Sequence, residues 1–277
     1  MKRAGVMGWP VEHSRSPLLH GFWLKEHRID GAYVLLPVRP EELAAALRGL
    51  AARGFAGCNL TIPHKAPALA IVDQVDATAA RIGAVNTVIA RPDGMLEGRN
   101  TDAFGFRENL RAAQPGWRAG AGPAVVLGAG GAARAVVAAL LDDGAPEIRL
   151  VNRSRDRAAA LAAALGGPIE LVDWARRAAA LAGAALLVNT TSLGMTGQPP
   201  LDLALDALPQ AALVNDIVYV PLETPLLRAA RGRGNPAVDG LGMLLHQARP
   251  AFAAWFGVTP EVTPALRQTM AASLASR

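Results

Sequence analysis

Lys65 and Asp102 are a pair whose types and polar surroundings in the sequence suit moving a proton to or from a reacting oxygen. Delivering hydride to a ketone leaves an alkoxide that needs a proton, and the reverse reaction needs a base for the hydroxyl. A lysine ammonium can serve in both directions, because it can lose its proton where its surroundings favour that. A guanidinium cannot. A neighbouring carboxylate would hold the ammonium in place and bond the same hydroxyl. Taken singly, Lys65 also suits a solvated helix and Asp102 a helix N-cap. Polar residues surround both. Ser14-Arg15-Ser16-Pro17 precedes a helical pattern, and two serines at a helix start suit a carboxylate as well as a cap. Asn59-Leu60-Thr61-Ile62-Pro63-His64-Lys65 follows an apolar run, Asn86 follows Gly83-Ala84-Val85, and Asn100-Thr101 leads into Asp102. Each alone reads as a turn. Four such clusters at strand ends within one domain point to a site.

A second chemistry is legible further on. Gly128-Ala129-Gly130-Gly131-Ala132-Ala133 follows an apolar strand and opens a helix. Glycines permit the tight turn and close backbone approach that a pyrophosphate needs, and the helix N-terminus supplies N–H groups. The bare motif also fits a glycine-rich turn without a ligand. The next strand sharpens the choice. An NAD-binding fold places an acidic residue at its end, against the ribose 2′-hydroxyl. Here the sequence runs Asn152-Arg153-Ser154, with Arg157 one turn on. A carboxylate would repel a 2′-phosphate, whereas a guanidinium offers it a planar fork of donors. The inference is NADP rather than NAD. Arg155 reads as an ordinary exposed helix residue.

Several classes are set aside by composition. The chain has 277 residues, 51% hydrophobic and 18% charged, so it can bury one large or two modest cores. No apolar stretch approaches the roughly 20 residues of a membrane span, and the start lacks a signal-peptide pattern. A single cysteine, Cys58, excludes a disulfide framework and reads as a buried thiol. The histidines form no paired ligand motif, so no metal is expected. The formal charge of +5 comes from scattered arginines, which suits small anions better than nucleic acid. Expected partners are therefore a small-molecule substrate, with neither nucleic acid nor membrane, in a cytoplasmic setting. A homodimer is compatible with the sequence and not specified by it.

The elements that must position these residues alternate. Expected strands are Ala4–Gly8, Ala32–Val38, Gly57–Thr61 and Thr87–Ala90, with a hairpin partner near Met95–Gly98. Expected helices are Ser16–His27, Pro40–Arg53 and Asp76–Ile82. This interleaving points to βαβ units and a largely parallel sheet. Thr101–Ala113 reads as a joining helix. A second α/β unit begins near residue 122, with strands at Pro123–Leu127, Glu147–Val151, Ala185–Asn189, Leu213–Ile217 and Pro236–Val238. Its helices are Ala132–Leu141 and one starting after Ser154. The tail, Gly240–Phe256 and Pro260–Ser276, is helical in pattern.

The ordered motifs resemble the shikimate dehydrogenases over nearly the whole chain. The resemblance rests on Gly8-Trp9-Pro10-Val11-Glu12-His13-Ser14-Arg15-Ser16-Pro17, the Gly57–Lys65 segment, Gly83–Thr87 and Gly98-Arg99-Asn100-Thr101-Asp102. It continues through Asn189-Thr190-Thr191-Ser192-Leu193-Gly194-Met195, Asp216-Ile217-Val218-Tyr219-Val220-Pro221 and Asp239-Gly240-Leu241-Gly242-Met243-Leu244-Leu245-His246-Gln247. The resemblance implies an α/β fold of two domains around a cleft. A mixed α/β substrate domain would span 1–102 plus about 240–277, and a Rossmann-like NADP-binding domain 103–239. It implies Ser14 and Ser16 on the substrate carboxylate, and Asn59, Thr61, Asn86, Tyr219 and Gln247 on ring hydroxyls or catalytic groups. Lys65 would transfer the proton with support from Asp102. Gly128, Ala129, Gly130, Gly131 and Ala132 would hold the NADP phosphates. Asn152, Arg153, Ser154 and Arg157 would hold the phosphorylated ribose, and Met195, Ile217, Gly240 and Met243 would line the nicotinamide pocket.

The implied reaction is NADPH-dependent reduction of 3-dehydroshikimate to shikimate, in aromatic amino acid biosynthesis. Gly21, Leu60, His246 and Arg249 depart from the commoner family pattern and leave room for a modified substrate. The alternatives are a quinate/shikimate or aminoshikimate dehydrogenase, or a non-catalytic sensor. A sensor would be expected to lose Lys65 or Asp102, and both are present.

Overall fold

A computed structural model describes residues 1–275; the expected helical residue Ser276 lies outside the described residues. The chain divides into two compact units. Met1–Asp102 and Gln247–Met270 form the first, and Ala103–His246 with the residues from Ala271 form the second. The fold class is α/β, each unit having its own six-stranded sheet.

In the first unit, β1 (Lys2–Gly8), α1 (Ser16–Glu26), β2 (Gly31–Pro37), α2 (Leu43–Arg48) and β3 (Phe55–Leu60) make two crossover connections. β4 (Gln74–Val75), α3 (Ala77–Ile82), β5 (Thr87–Ala90) and β6 (Leu96–Arg99) follow. The sheet order is β2-β1-β3-β5-β6-β4. β1 is parallel to β2 and β3, but β5 runs antiparallel to both β3 and β6. The sheet is therefore mixed, where the alternation of strands and helices suggested a largely parallel one. The tight turn that returns β5 into β6, closed by Arg91 and Met95, requires the reversal. Apolar side chains of β1, β3, β5 and α2 form one core with Leu47, Leu50, Cys58 and Val88 fully buried. That burial pushes the Cys58 thiol up, well out of the range of a nucleophile.

The expected helix Pro40–Arg53 is shorter than its pattern. A 3-10 turn at Pro40–Glu42 precedes α2, which ends before Gly49. α3 is bounded by chemistry visible in the sequence. Asp76 accepts from Ala79 N at 2.6 Å, and Gly83 takes a left-handed conformation at φ 74.

α4 (Asp102–Ala113) leads to the second unit. There β7 (Ala124–Leu127), α5 (Gly131–Asp142), β8 (Ile148–Asn152), α6 (Arg155–Leu165), β9 (Ile169–Asp173), β10 (Leu186–Asn189), β11 (Leu213–Asp216), α7 (Pro225–Gly232) and β12 (Ala237–Val238) follow in turn. The order β12-β11-β10-β7-β8-β9 is parallel throughout. This is the doubly wound arrangement of nucleotide-binding folds, in which the order of strand addition reverses between β7 and β10. β7, β10 and β11 are buried along their whole length, as a sheet covered on both faces requires. α8 (Leu241–Phe256) and α9 (Pro264–Ala275) follow. β4, β9 and α7 have no counterpart among the expected elements. Among the described residues no helix is long and apolar enough to cross a membrane, and no group of acidic, histidine or cysteine side chains is placed to hold a metal ion.

Asp216 ties the end of β11 to its surroundings. Its carboxylate accepts from Asn189 Nδ2 at 2.9 Å, Val218 N at 3.1 Å and Thr224 Oγ1 at 2.7 Å. Burial raises its pKa from 3.8 to about 6, against the pull of these three donors. Between those values the folded chain keeps a proton that the unfolded chain has released. Stability therefore falls as pH rises through this window. Asp216→Asn removes the titration while keeping the shape. Denaturation of both proteins at pH 4 and pH 7 should show the stability difference moving in the variant's favour by up to about 3 kcal/mol. The carboxylates shared by both proteins cancel in that difference. An unchanged difference would show that Asp216 stays ionised throughout.

Candidate functional site

In the first unit, the polar clusters sit where strands end. β3 delivers Asn59 and, just beyond it, Thr61 and Lys65. The residue before β5 is Asn86, and β6 runs out into Asn100, Thr101 and Asp102. Backbone bonds fix these ends to one another. Thr61 N donates to Met7 O, Leu60 N to Asn86 O, Val85 N to Lys65 O and Asn86 N to Arg99 O.

The side chains then converge. Lys65 Nζ donates to Asp102 Oδ2 at 2.6 Å, with the lysine about one-third exposed and the aspartate largely buried. Asn86 Nδ2 donates to the other carboxylate oxygen at 2.7 Å and to Thr101 Oγ1 at 3.1 Å. Asn86 Oδ1 accepts from Thr101 N at 2.9 Å and Thr87 Oγ1 at 3.0 Å. Asn100 Oδ1 accepts from Asp102 N at 2.9 Å, while its Nδ2 donates to Ala84 O at the same distance. Both carboxylate oxygens are thus engaged by donors, and the backbone behind them is held. Charge-assisted bonds of this kind are roughly twice as strong as neutral ones. One Nζ–H is committed to Asp102. The other donor positions of the ammonium remain for a substrate oxygen.

Asn59 and Gln247 join the same network. Asn59 Nδ2 donates to Asn86 O and Thr87 Oγ1, each at 3.1 Å. Thr101 Oγ1 lies 3.4 Å from Gln247 Oε1 on α8. Ser14 and Ser16 stand at the start of α1, where Ser16 N donates to Ser14 Oγ at 3.3 Å. Arg15 at the N-cap position supplies no side-chain cap. The unpaired N–H groups of a first helical turn favour an anion. Thr61 leans on Gly8, where an added Cβ would lie 2.4 Å from its Cγ2.

Thr87, Asn100 and Thr101, which lie in the sequence motifs without an assigned role, complete the network, and Tyr33 joins it with no sequence signal of its own. His64, fully buried, sits 2.8 Å from Val38 O through Nε2 and so anchors the turn that presents Lys65. A tyrosine within an apolar strand and a threonine opening another look like core and turn.

In the second unit, Gly128 to Ala132 form the turn from β7 into α5. Gly128 has φ 109, and a Cβ there would lie 2.6 Å from Thr190 Oγ1, so the turn admits only glycine. A Cβ on Gly130 or Gly131 would meet nothing within 4 Å, so space is open beside the helix start. Gly130 caps α5 without a side chain. After β8, Asn152 Nδ2 donates to Ser154 O at 2.8 Å, and Ser154 Oγ accepts from Arg157 N at 3.4 Å. Arg155 is paired with Asp173 at 2.7 Å. Arg153 and Arg157 are exposed, and their guanidinium groups have no ion-pair partner among the described residues. An open glycine turn, an uncapped helix start and two uncommitted guanidiniums fit a phosphorylated dinucleotide.

The remaining residues follow the carboxyl ends of β10, β11 and β12, with Met243 in the first turn of α8. Met195 is 40% exposed in the loop after β10. Ile217 N donates to Asn189 O at 3.1 Å. Gly240 N donates to Val218 O, and a Cβ on Gly240 would fall 2.0 Å from Ile217 O. A larger residue at 240 would push that loop out of place. Met243 is buried at the start of α8, and Tyr219 follows Val218 in the second unit.

Comparison with known proteins agrees with this arrangement. Three family profiles match in order. The shikimate dehydrogenase substrate binding domain covers residues 6–88, shikimate / quinate 5-dehydrogenase covers 118–194, and the shikimate 5'-dehydrogenase C-terminal domain covers 240–270. The chain is 66% identical over 264 residues to a shikimate dehydrogenase (NADP(+)) of Paramagnetospirillum magneticum, covering 95% of this chain and 96% of that one. A crystal structure of the Thermus thermophilus shikimate 5-dehydrogenase in complex with NADP(H) and shikimate superposes with a TM-score of 0.87 at 40% identity, covering 99% of this chain and all of that one. A quinate dehydrogenase from Corynebacterium glutamicum in complex with NAD is similar in fold, with a TM-score of 0.91, at 30% identity over 98% of this chain and all of that one. With matches spanning both units in order, the chain belongs to the shikimate dehydrogenase family.

Proposed function

We propose that this chain is an NADP-dependent shikimate dehydrogenase, reducing 3-dehydroshikimate reversibly to shikimate in aromatic amino acid biosynthesis, as a cytoplasmic enzyme. The observation that carries the reading is the 2.6 Å Lys65–Asp102 pair, braced by Asn86 at the ends of β3, β5 and β6. NADPH, when bound, supplies the hydride. The backbone of Gly128, Ala129, Gly130, Gly131 and Ala132 would hold its pyrophosphate, and Asn152, Arg153, Ser154 and Arg157 its phosphorylated ribose. Met195, Ile217, Gly240 and Met243 would border the nicotinamide.

The chain's own groups handle the substrate and the proton. Ser14 and Ser16 bind its carboxylate with the first N–H groups of α1. Asn59, Thr61, Asn86, Tyr219 and Gln247 bond ring hydroxyls or orient the catalytic groups. In reduction, Lys65 gives a proton from Nζ to the oxygen formed at the carbonyl carbon. In oxidation the neutral amine takes the hydroxyl proton. Asp102 keeps Nζ in place through Oδ2, while Asn86 pins its other oxygen.

Two specificities follow from residues rather than from fold. Serines at positions 14 and 16 together with Thr61 favour shikimate over quinate. Arg153 and Arg157, uncommitted to any carboxylate, favour a 2′-phosphate over a bare ribose. The similar quinate dehydrogenase was solved with NAD, but so was a shikimate 5-dehydrogenase from Listeria monocytogenes, so substrate choice is the point at which the two readings part.

Purified protein should generate reduced coenzyme from shikimate and NADP, with quinate or NAD far poorer. No absorbance change with shikimate and NADP would end this reading. Lys65→Ala should still bind shikimate in a calorimetric titration while kcat falls by about 10²–10⁴-fold. Near-normal kcat would show that another group carries the proton. Arg153→Ala should raise the KM for NADPH by about tenfold or more while leaving that for NADH little changed. Equal effects on both would remove Arg153 from the phosphate site.

A further inference from the structure

Tyr33 lies on β2, buried, and belongs to none of the motifs that carry the proposed chemistry. Its phenol nevertheless reaches a residue assigned to the substrate. Tyr33 Oη is 2.7 Å from Asn59 Oδ1. The ring is held rigidly. It stacks on His20 with centroids 3.9 Å apart and planes 1° from parallel, and Trp255 closes a further side at 6.0 Å. Burial lowers the pKa of His20 to about 3, so the stack is with a neutral imidazole.

The direction of each hydrogen bond follows from elementary donor and acceptor rules. The Asn86 carbonyl can only accept. Asn59 must therefore present its NH₂ group to that carbonyl and to Thr87 Oγ1, both at 3.1 Å. Its Oδ1 is left facing Tyr33, so the phenol must donate there. A phenol has one proton. That proton goes to Asn59 Oδ1, so Tyr33 sets which way the Asn59 amide faces. From Asn59 the same polarity continues. Asn59 donates to Thr87, Thr87 to Asn86 and Asn86 to Asp102, which accepts from Lys65. An unbroken chain of bonds therefore links Tyr33 to the catalytic pair.

We propose that Tyr33 is a positioning residue of the substrate site, fixing the amide of Asn59 through its hydroxyl without taking part in proton transfer. The proposal rests on reading Asn59 as a substrate contact. It places the effect of Tyr33 on substrate affinity, because Asn59 is the group it bonds directly, whereas Asp102 lies three bonds further on and is also held by Lys65 and Asn100. Coenzyme affinity should be untouched, since none of the bonds Tyr33 makes involves the glycine turn or the arginines after β8.

Tyr33→Phe keeps the ring and its stack and removes only the hydroxyl. The KM for shikimate should rise about tenfold, with kcat and the KM for NADP within about threefold of the parent. Calorimetric binding of shikimate should weaken by the same factor. On an Asn59→Ala background the same substitution should cost clearly less, since the group it positions has gone. A shikimate affinity within about twofold of the parent, a parallel rise in both Michaelis constants, or full additivity with Asn59→Ala would each overturn the assignment. Those outcomes concern an active parent. A parent that neither binds nor oxidises shikimate would overturn the functional reading itself.

Discussion

The buried amide of Asn86 is the constraint on which the first unit's site depends. Its oxygen collects Thr101 N and the Thr87 hydroxyl, and its nitrogen gives to Asp102 and Thr101. Its backbone joins β3 to β6 through Leu60 N and Arg99 O. A largely buried carboxylate is tolerable only when its charge is paired and its lone pairs are bonded. Here Lys65 supplies the charge and Asn86 the second donor. The reversed strand β5 has a chemical consequence. Because β5 runs against β3 and β6, its first residues lie beside the last residues of both neighbours, and Asn86 can touch both.

The second unit reaches its arrangement by a different physical route. Its proposed ligand is met mainly by backbone, so the sequence supplies small residues where side chains would obstruct. Gly128 needs its left-handed conformation and its closeness to Thr190, and Gly240 needs its closeness to Ile217. Side-chain bonds brace the loops from behind. Thr190 Oγ1 donates to Leu127 O at 2.6 Å, across the point where the order of strand addition reverses. Asn189, Asp216 and Thr224 connect the ends of β10 and β11 with the start of α7. The Asp216 carboxylate pays a desolvation penalty there, which its three donors only partly offset.

Much of this was legible in the sequence, for identifiable reasons. The end of β10 was legible because its apolar run stops abruptly at a polar residue, Asn189. Lys65 and Asp102 stood out by charge, and the glycine turn by its place between strand and helix. What escaped has equally plain causes. β9 is half-exposed, lies at the sheet edge and lacks a continuous apolar run. The antiparallel placement of β5 against β3 depends on pairing across 28 residues, which no local pattern encodes. Tyr33 reads as core because its ring is core. Only its oxygen belongs to the site, and composition cannot separate the two.

The arginines after β8 show how partners distinguish residues that sequence leaves alike. Arg153, Arg155 and Arg157 alternate along one short segment. Asp173, the last residue of β9, lies opposite Asn152 in the sheet and holds Arg155 at 2.7 Å. That pair is exposed on both sides, so it adds little stability. Its consequence is spatial, since it draws one guanidinium toward the β9 edge. Arg153 and Arg157 are left without a carboxylate, near the uncapped start of α5 across the neighbouring strand. Anions are favoured beside a helix start and beside unpaired guanidinium groups alike. In the proposed reading both features serve one ligand, the pyrophosphate at the first and the 2′-phosphate at the second. The preference for NADP then comes from charge left uncommitted, rather than from the total of +5 that the chain carries.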